Sequence, residues 1–333
     1  MELTTVAHDH AVIHDGLDVR RYDDLEPDHV YEYDGFAFRT LAQPPGEHLC
    51  TFATVNDVHF GEVECGIIEG LEVGPVFSVA DGEEPYPETM NRGAIHEIEQ
   101  LDPAVVVVKG DLTSRGTPEE YELFREYYGE AFGERLVAVR GNHESYYGAT
   151  FASDPVQRVD LPGVTLAVID TSVEGHAWGR VPAETLTWLR DLASEVDGPV
   201  LVFGHHHVWN PEARSRPETY FGINPDDSER LVEVFAAHPN LRGYFAGHTH
   251  RNRVRRFGLT HEVPWVEVAC VKDFPGAWAE YRVHEGGVLQ IFHRISNPDA
   301  LVWTEKTRQM FGGTYFDYAF GDLGDRCFAI PTT

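Results

Sequence analysis

The sequence predicts a layered α/β domain. Three observations carry the prediction: apolar runs that do not alternate, helical stretches between them, and a polar residue closing most runs. The runs are "LCTFATVND", "AVVVVKGD", "RLVAVRGNH", "VTLAVIDT", "PVLVFGHHH", "LRGYFAGHTH" and "WVEVAC". A half-buried strand alternates, so unbroken Val, Leu, Ile and Phe imply strands covered on both faces.

Residues 1–46 have a different texture. "DLEPDHVYEYDGFAFRTL" alternates with the strand period, and Leu25, Pro27 and Tyr31 have the spacing of a tyrosine corner. The segment is too short for a whole sandwich, so it reads as a small β flap ended by "AQPPGEH", or else as a loose acidic arm. The main domain occupies 47–295. Within it, "TPEEYELFREYYGEAF" opens with a capping box, Thr117 to Glu120, and carries Pro118 at the first helical position. "PAETLTWLRDLASEV" and "SERLVEVFAAH" place apolar residues at helical spacing. Residues 60–93 and 208–227 are long excursions after strand ends, readable either as substrate walls or as solvated insertions. Residues 296–333, rich in aromatics and Gly, are expected to wrap back over the main domain.

The balance of 55 acidic residues against 26 basic ones gives a formal charge of −29, and only Lys109, Lys272 and Lys306 are lysines. An acidic surface that avoids Lys fits high salt, where self-repulsion is screened. It disfavours a nucleic-acid groove, which needs clustered Lys and Arg. No signal-peptide pattern or spanning apolar run is seen. Cys50, Cys65, Cys270 and Cys327 form no CxxC pair, which indicates a reducing compartment. The expected location is the cytoplasm of a salt-adapted cell. Oligomeric state is not readable.

The run ends carry the chemistry. They offer Asp57 and His59 in "NDVHFG", Asp111 in "KGDLTSRG", Asn142 and His143 in "RGNHES", a His of "GHHHVW", and His248 and His250 in "AGHTHR". No single element can surround two cations, whereas an open α/β sheet presents several strand ends on one edge. Carboxylates mixed with imidazoles suit Mn, Fe, Zn or Ni. Each signal alone is weak, because a His at a strand end is more often a packed core residue. Together, and in order, they are rare.

The order D-x-H, G-D, G-N-H-E, H, G-H-x-H resembles the calcineurin-like metallophosphoesterases. "GDLTSRGTPEEYELF" and "GNHE" are similar to their class III cyclic nucleotide phosphodiesterase branch. The resemblance spans about residues 50–255. It implies a four-layer αββα sandwich with two mixed β-sheets and a site for two divalent transition-metal ions. Asp57, His59 and His250 would bind one ion, Asn142, His248 and a His of 205–207 the other, and Asp111 would bridge them. The family has Pro two residues after its fifth-motif His. Val208 stands at that place, which makes His206 the preferred ligand and His205 the reserve. With Leu112, Thr113 and Ser114 after Asp111, a tyrosinate-iron site is not expected.

The activity implied is phosphoester hydrolysis, a metal-bridging hydroxide attacking phosphorus in line. Small phosphodiesters, including cyclic nucleotides, rank above phosphomonoesters and well above polynucleotides. A catalytically silent scaffold would require missing ligands, and none is missing. Gly141 is expected to permit a sharp turn, so that Asn142 faces the metals while His143 reaches toward the substrate as proton donor or charge stabiliser. Glu144 is expected to orient the loop, and Asp170 to be structural.

Overall fold

The computed structural model describes residues 1–68, 73–261 and 263–332. All seven apolar runs contain strands, and they divide between two six-stranded sheets. One sheet runs in the order Phe328–Pro331, Gly287–Arg294, Ala277–His284, His48–Val55, Val106–Lys109 and Leu136–Val139. The other runs Arg253–Arg255, Trp265–Glu267, Leu241–Ala246, Val200–Phe203, Val164–Ile169 and Val156–Leu161. Both are mixed: a parallel block is flanked by antiparallel strands.

The absence of alternation now has its cause. Val107, Leu166, Val168, Leu201, Phe203 and Phe245 fill the space between the sheets. Their neighbours Val106 and Val108 face one helical layer, and Ala167, Ile169 and Val202 face the other. The central strands Val106–Lys109, Val164–Ile169 and Val200–Phe203 are buried throughout, giving the αββα order.

The capping box is present at the helix Pro118–Phe124, where Thr117 Oγ1 accepts from Glu120 N–H at 3.2 Å and Glu120 accepts from Thr117 N–H at 3.3 Å. That helix then passes through a π turn at Arg125–Gly129. The other helical stretches form Ala183–Glu195 and Pro225–Ala237. The end of the 60–93 excursion is also helical, entering Tyr86–Glu99, with Pro85 at the N-cap and Pro87 in the first turn.

The N-terminal flap is a three-stranded sheet (Glu2–Val6, Ala11–Asp15, Asp18–Tyr22) and a hairpin (Val30–Tyr33, Phe36–Arg39). Tyr31 performs the corner function, its hydroxyl accepting from Glu26 N–H at 2.8 Å. The C-terminal segment does more than wrap. Trp303, Tyr315 and Phe320 enter the core under the first sheet, and Phe328–Pro331 is that sheet's edge strand.

Candidate metal centre

The parallel strands of both sheets bring their C-terminal ends to one edge. Asp57, Asp111 and Asn142 follow three strands of the first sheet; His205 and His248 follow two of the second. The backbone here is unusual. Asp57, His59, Asp111, His248 and His250 all have positive φ, between 49° and 69°. Non-glycine residues avoid this region, and where they cluster in it the surroundings hold them there for a reason.

The side chains converge. Asp111 Oδ2 lies 3.6 Å from His59 Nε2 and 3.2 Å from His205 Nε2. His205 Nε2 is also 3.0 Å from Asn142 Oδ1 and 3.2 Å from His248 Nδ1. His250 Nε2 lies 3.4 Å from Asp57 Oδ1. Asp57, His59 and His250 form one set of potential ligand atoms within 4.8 Å of one another, and Asp57, Asp111 and His205 form a second.

Three imidazoles are held so that one nitrogen faces inward. His205 Nδ1 donates to Lys109 O at 2.9 Å, His248 Nε2 to Phe221 O at 2.8 Å, and His143 Nδ1 to Ser114 O at 2.7 Å. A carbonyl on one ring nitrogen selects the tautomer whose other nitrogen has a free lone pair, the arrangement around metal-bound histidines. His59 is 2 % exposed, and neither ring nitrogen has a hydrogen-bond partner. An orphaned buried imidazole facing two carboxylates fits a cation.

The sequence prefers His206 as ligand with His205 in reserve; His205, His206 and His248 form a further set of potential ligand atoms within 4.8 Å of one another, and the two residues differ in their other contacts. His205, the reserve, sits where Asp111, Asn142 and His248 meet. His206 turns Nδ1 to Thr171 Oγ1 at 2.8 Å and its ring toward the back of His248, although its Nε2 has no partner. Adjacent residues leaving a strand point to opposite sides, so one inward side chain dictates the other.

Gly141 also differs from expectation. Its φ of −111° is open to any residue; glycine is needed because a Cβ there would overlap the Asp111 carboxylate. Glu144 is fully buried and accepts from Thr113 N–H, Thr113 Oγ1 and Gly141 N–H at 2.8, 2.6 and 2.7 Å, which ties the two loops together. Asp170 pairs with Arg140 at 2.8 Å. His143 packs edge-on against His59, ring centroids 4.5 Å apart, and lines the cleft.

Several residues escaped sequence reasoning. Asp273 Oδ2 stands 3.7 Å from His250 Nδ1, while Asp273 Oδ1 accepts from Tyr315 OH at 2.6 Å. Lys272 Nζ is 2.6 Å from Glu62 and 3.4 Å from Asp273. Lys109 is fully buried and donates from Nζ to Ala246 O at 3.2 Å, joining the two sheets behind the site. That two of the chain's three lysines lie at this edge was a usable signal.

The electrostatics agree with a cation site. Burial opposes charge on His205, yet Asp111 and then Asp57 raise its pKa to about 9. His250 is likewise raised against burial, by Cys270, Asp57 and Asp273. His59 and His248 are pushed well below the ordinary value, first by burial. The carboxylates thus hold protons on two histidines in the place where a metal would supply the positive charge.

Fold and site define a metal-dependent phosphoesterase. Residues 50–252 match the calcineurin-like phosphoesterase model, and the chain belongs to that family. It is 27% identical over 200 residues to a probable cyclic nucleotide phosphodiesterase of Synechococcus sp., covering 57% of this chain and 76% of that protein. It is 29% identical over 205 residues to the glycerophosphodiester phosphodiesterase GpdQ of Enterobacter lignolyticus, covering 53% and 71%. A dimetal phosphatase from Danio rerio superimposes with a TM-score of 0.57 at 14% identity, over 75% of this chain and 98% of that one, a likeness of fold. Among the described residues, no helix is long and apolar enough to cross a membrane.

Proposed function

We propose that the protein hydrolyses small phosphodiesters with two divalent transition-metal ions. The carrying observation is the set of inward-facing imidazole nitrogens around Asp111, whose Oδ2 stands between His59 and His205. In this reading Asp57, His59 and His250 hold one ion, and Asn142, His205 and His248 the other. Asp111 would serve both through Oδ2, since Oδ1 accepts from His143 N–H at 2.9 Å. Asn142 adds an oxygen ligand without adding negative charge near an anionic substrate. When bound, paired ions acidify water and stabilise charge on the attacking and leaving oxygens.

His143 supplies what the ligands do not. With Nδ1 donating to Ser114 O, Nε2 is free to take up a proton, and the imidazolium so formed can donate toward a phosphoryl or departing oxygen. Similarity to a cyclic nucleotide phosphodiesterase and a glycerophosphodiester phosphodiesterase favours diesters, cyclic nucleotides among them, over monoesters. Elemental analysis should find about two transition metals per chain. A panel of mono-, di- and cyclic phosphoesters with Mn²⁺ should show diesters turned over fastest. Metal-free protein after supplementation, or preference for monoesters, would overturn the reading.

The four free cysteines, three of them buried, support a reducing compartment. We also propose that the Lys-poor acidic surface serves high ionic strength. Melting temperature should then rise between about 0.1 and 2 M KCl as repulsion is screened; a flat or falling curve refutes this.

A further inference from the structure

The reaction chemistry leaves the outer wall of the cleft unexplained. Val63, Ile67, Ile68, Val73 and Val76 are all 40 to 62 % exposed, within one short stretch of a chain whose net charge is −29. Tyr147 and Phe221 are exposed by 64 and 57 %. A concentration of exposed apolar side chains on a charged surface marks a binding site. Ile67, Ile68, Val73, Tyr146, Tyr147 and Phe221 line the same cleft of about 1200 Å³ as His59, Asp111 and His143. The collar is therefore continuous with the candidate metal centre, and Phe221 stacks on His248 with ring centroids 4.0 Å apart.

The charges of the cleft restrict what enters. Among the described residues lining it, Lys272 is the single Lys or Arg, and Glu62 and Asp273 already hold it. Apart from the histidines, none of the described residues lining the cleft offers a free side-chain cation for the second charge of a phosphomonoester. A diester brings one negative charge, and the alcohol arm that is not the leaving group has to pass the collar. A hydroxylated arm would lose water against aliphatic side chains that offer no hydrogen bond.

We propose that the cleft selects phosphodiesters with one apolar arm, hydrocarbon or aryl, lying against Ile67, Ile68, Val73 and Tyr147. This rests on the diesterase reading, and the test separates the two. Methyl, butyl and octyl p-nitrophenyl phosphates share a leaving group and differ only in the arm. With the Mn²⁺-loaded protein, kcat/KM should rise at least tenfold from methyl to octyl, since each fully buried methylene contributes roughly fourfold. The double substitution Ile67→Ser with Ile68→Ser should cut that octyl-to-methyl ratio at least threefold; both side chains are exposed, so the fold should survive. Calorimetry should rank methyl octyl phosphate above dimethyl phosphate in the same protein. Turnover of the methyl diester with a flat series would overturn the collar assignment and leave the diesterase reading standing. No turnover of any diester, with p-nitrophenyl phosphate hydrolysed, would overturn both. A flat series accompanied by binding to phosphatidylcholine vesicles that the double variant loses would reassign the collar to a membrane surface.

Discussion

Two histidine-rich regions of the molecule differ in kind: among the described residues, candidate metal-ligand sets converge in only one of them. The seam between the N-terminal flap and the first sheet gathers His8, His10, His14, His284 and His293. There His10, His14 and His293 each have their own polar partner. His10 meets Asp9 at 2.7 Å, His14 bridges Thr4 and Ser296 at 2.9 and 3.1 Å, and His293 meets Glu280 at 2.7 Å. His284 has no ring-nitrogen partner and packs against the rings of His8 and His48. Arg282 already neutralises Asp9 at 2.7 Å. None of these histidines has positive φ, and among the described residues none joins a set of three converging ligand atoms. At the metal centre the carboxylates face several imidazoles at once, and the backbone is strained to aim them. Convergence on shared carboxylates, rather than the count of histidines, separates a candidate cation site from a packed interface.

Substitutions can break this contrast. The largest effect belongs to Asp111→Asn: loss of at least one metal and nearly all hydrolysis. Two metals at near-normal rate in that variant would end the bridging assignment. Next, His205→Ala should drop the protein to about one metal per chain, whereas His206→Ala should retain two; the opposite result by elemental analysis would restore His206 as the ligand. His143→Ala should keep both metals and lose about 10²–10⁴ in rate, less for a nitrophenolate leaving group, which needs no proton. An equal loss on every leaving group would deny it the role of acid.

The seam should answer to pH instead of metal. Burial, then Arg294, lowers His14 to about 3, and burial also lowers His8, His10 and His284. A histidine held neutral in the fold lets the unfolded chain take up protons first. Its contribution is therefore whole above about pH 6.5 and falls as pH drops toward 3. For His14 the loss at pH 5 amounts to about 2 kcal/mol. Urea unfolding of His14→Gln, which retains hydrogen-bonding capacity, should show a pH 7-to-5 destabilisation smaller by about that amount. An unchanged pH dependence would mean that His14 does not titrate with folding.

Much of the candidate site was legible because its residues end apolar runs. Asp57, His59, Asp111, Asn142, His248 and His250 each follow a stretch whose lack of alternation marks a doubly covered strand, and strand ends share an edge in this architecture. The antiparallel pair Ala277–His284 and Gly287–Arg294 was not legible. Glu280, Gln290 and Arg294 interrupt its apolar pattern although all are buried. Their partners lie outside the strand's own alternation: Glu280 pairs with His293 across the hairpin, Gln290 donates to Arg326 O, and Arg294 pairs with Glu305 of the following helix. A buried polar residue is tolerated only where such partners arrive, and local sequence cannot announce them.

By itself, then, the sequence determined the layered class, the strand ends that bear candidate ligands and their order along the chain, because periodicity and strand termini are local properties. Only the tertiary structure distinguishes the surroundings of His205 and His206, since Lys109 O holds the first and Thr171 Oγ1 the second from remote parts of the chain. It alone explained Gly141, whose missing Cβ makes room for Asp111 rather than for a turn. It alone brought Asp273, Lys272 and Phe221 to the cleft, because a contact across two sheets leaves no trace in the spacing of residues on either.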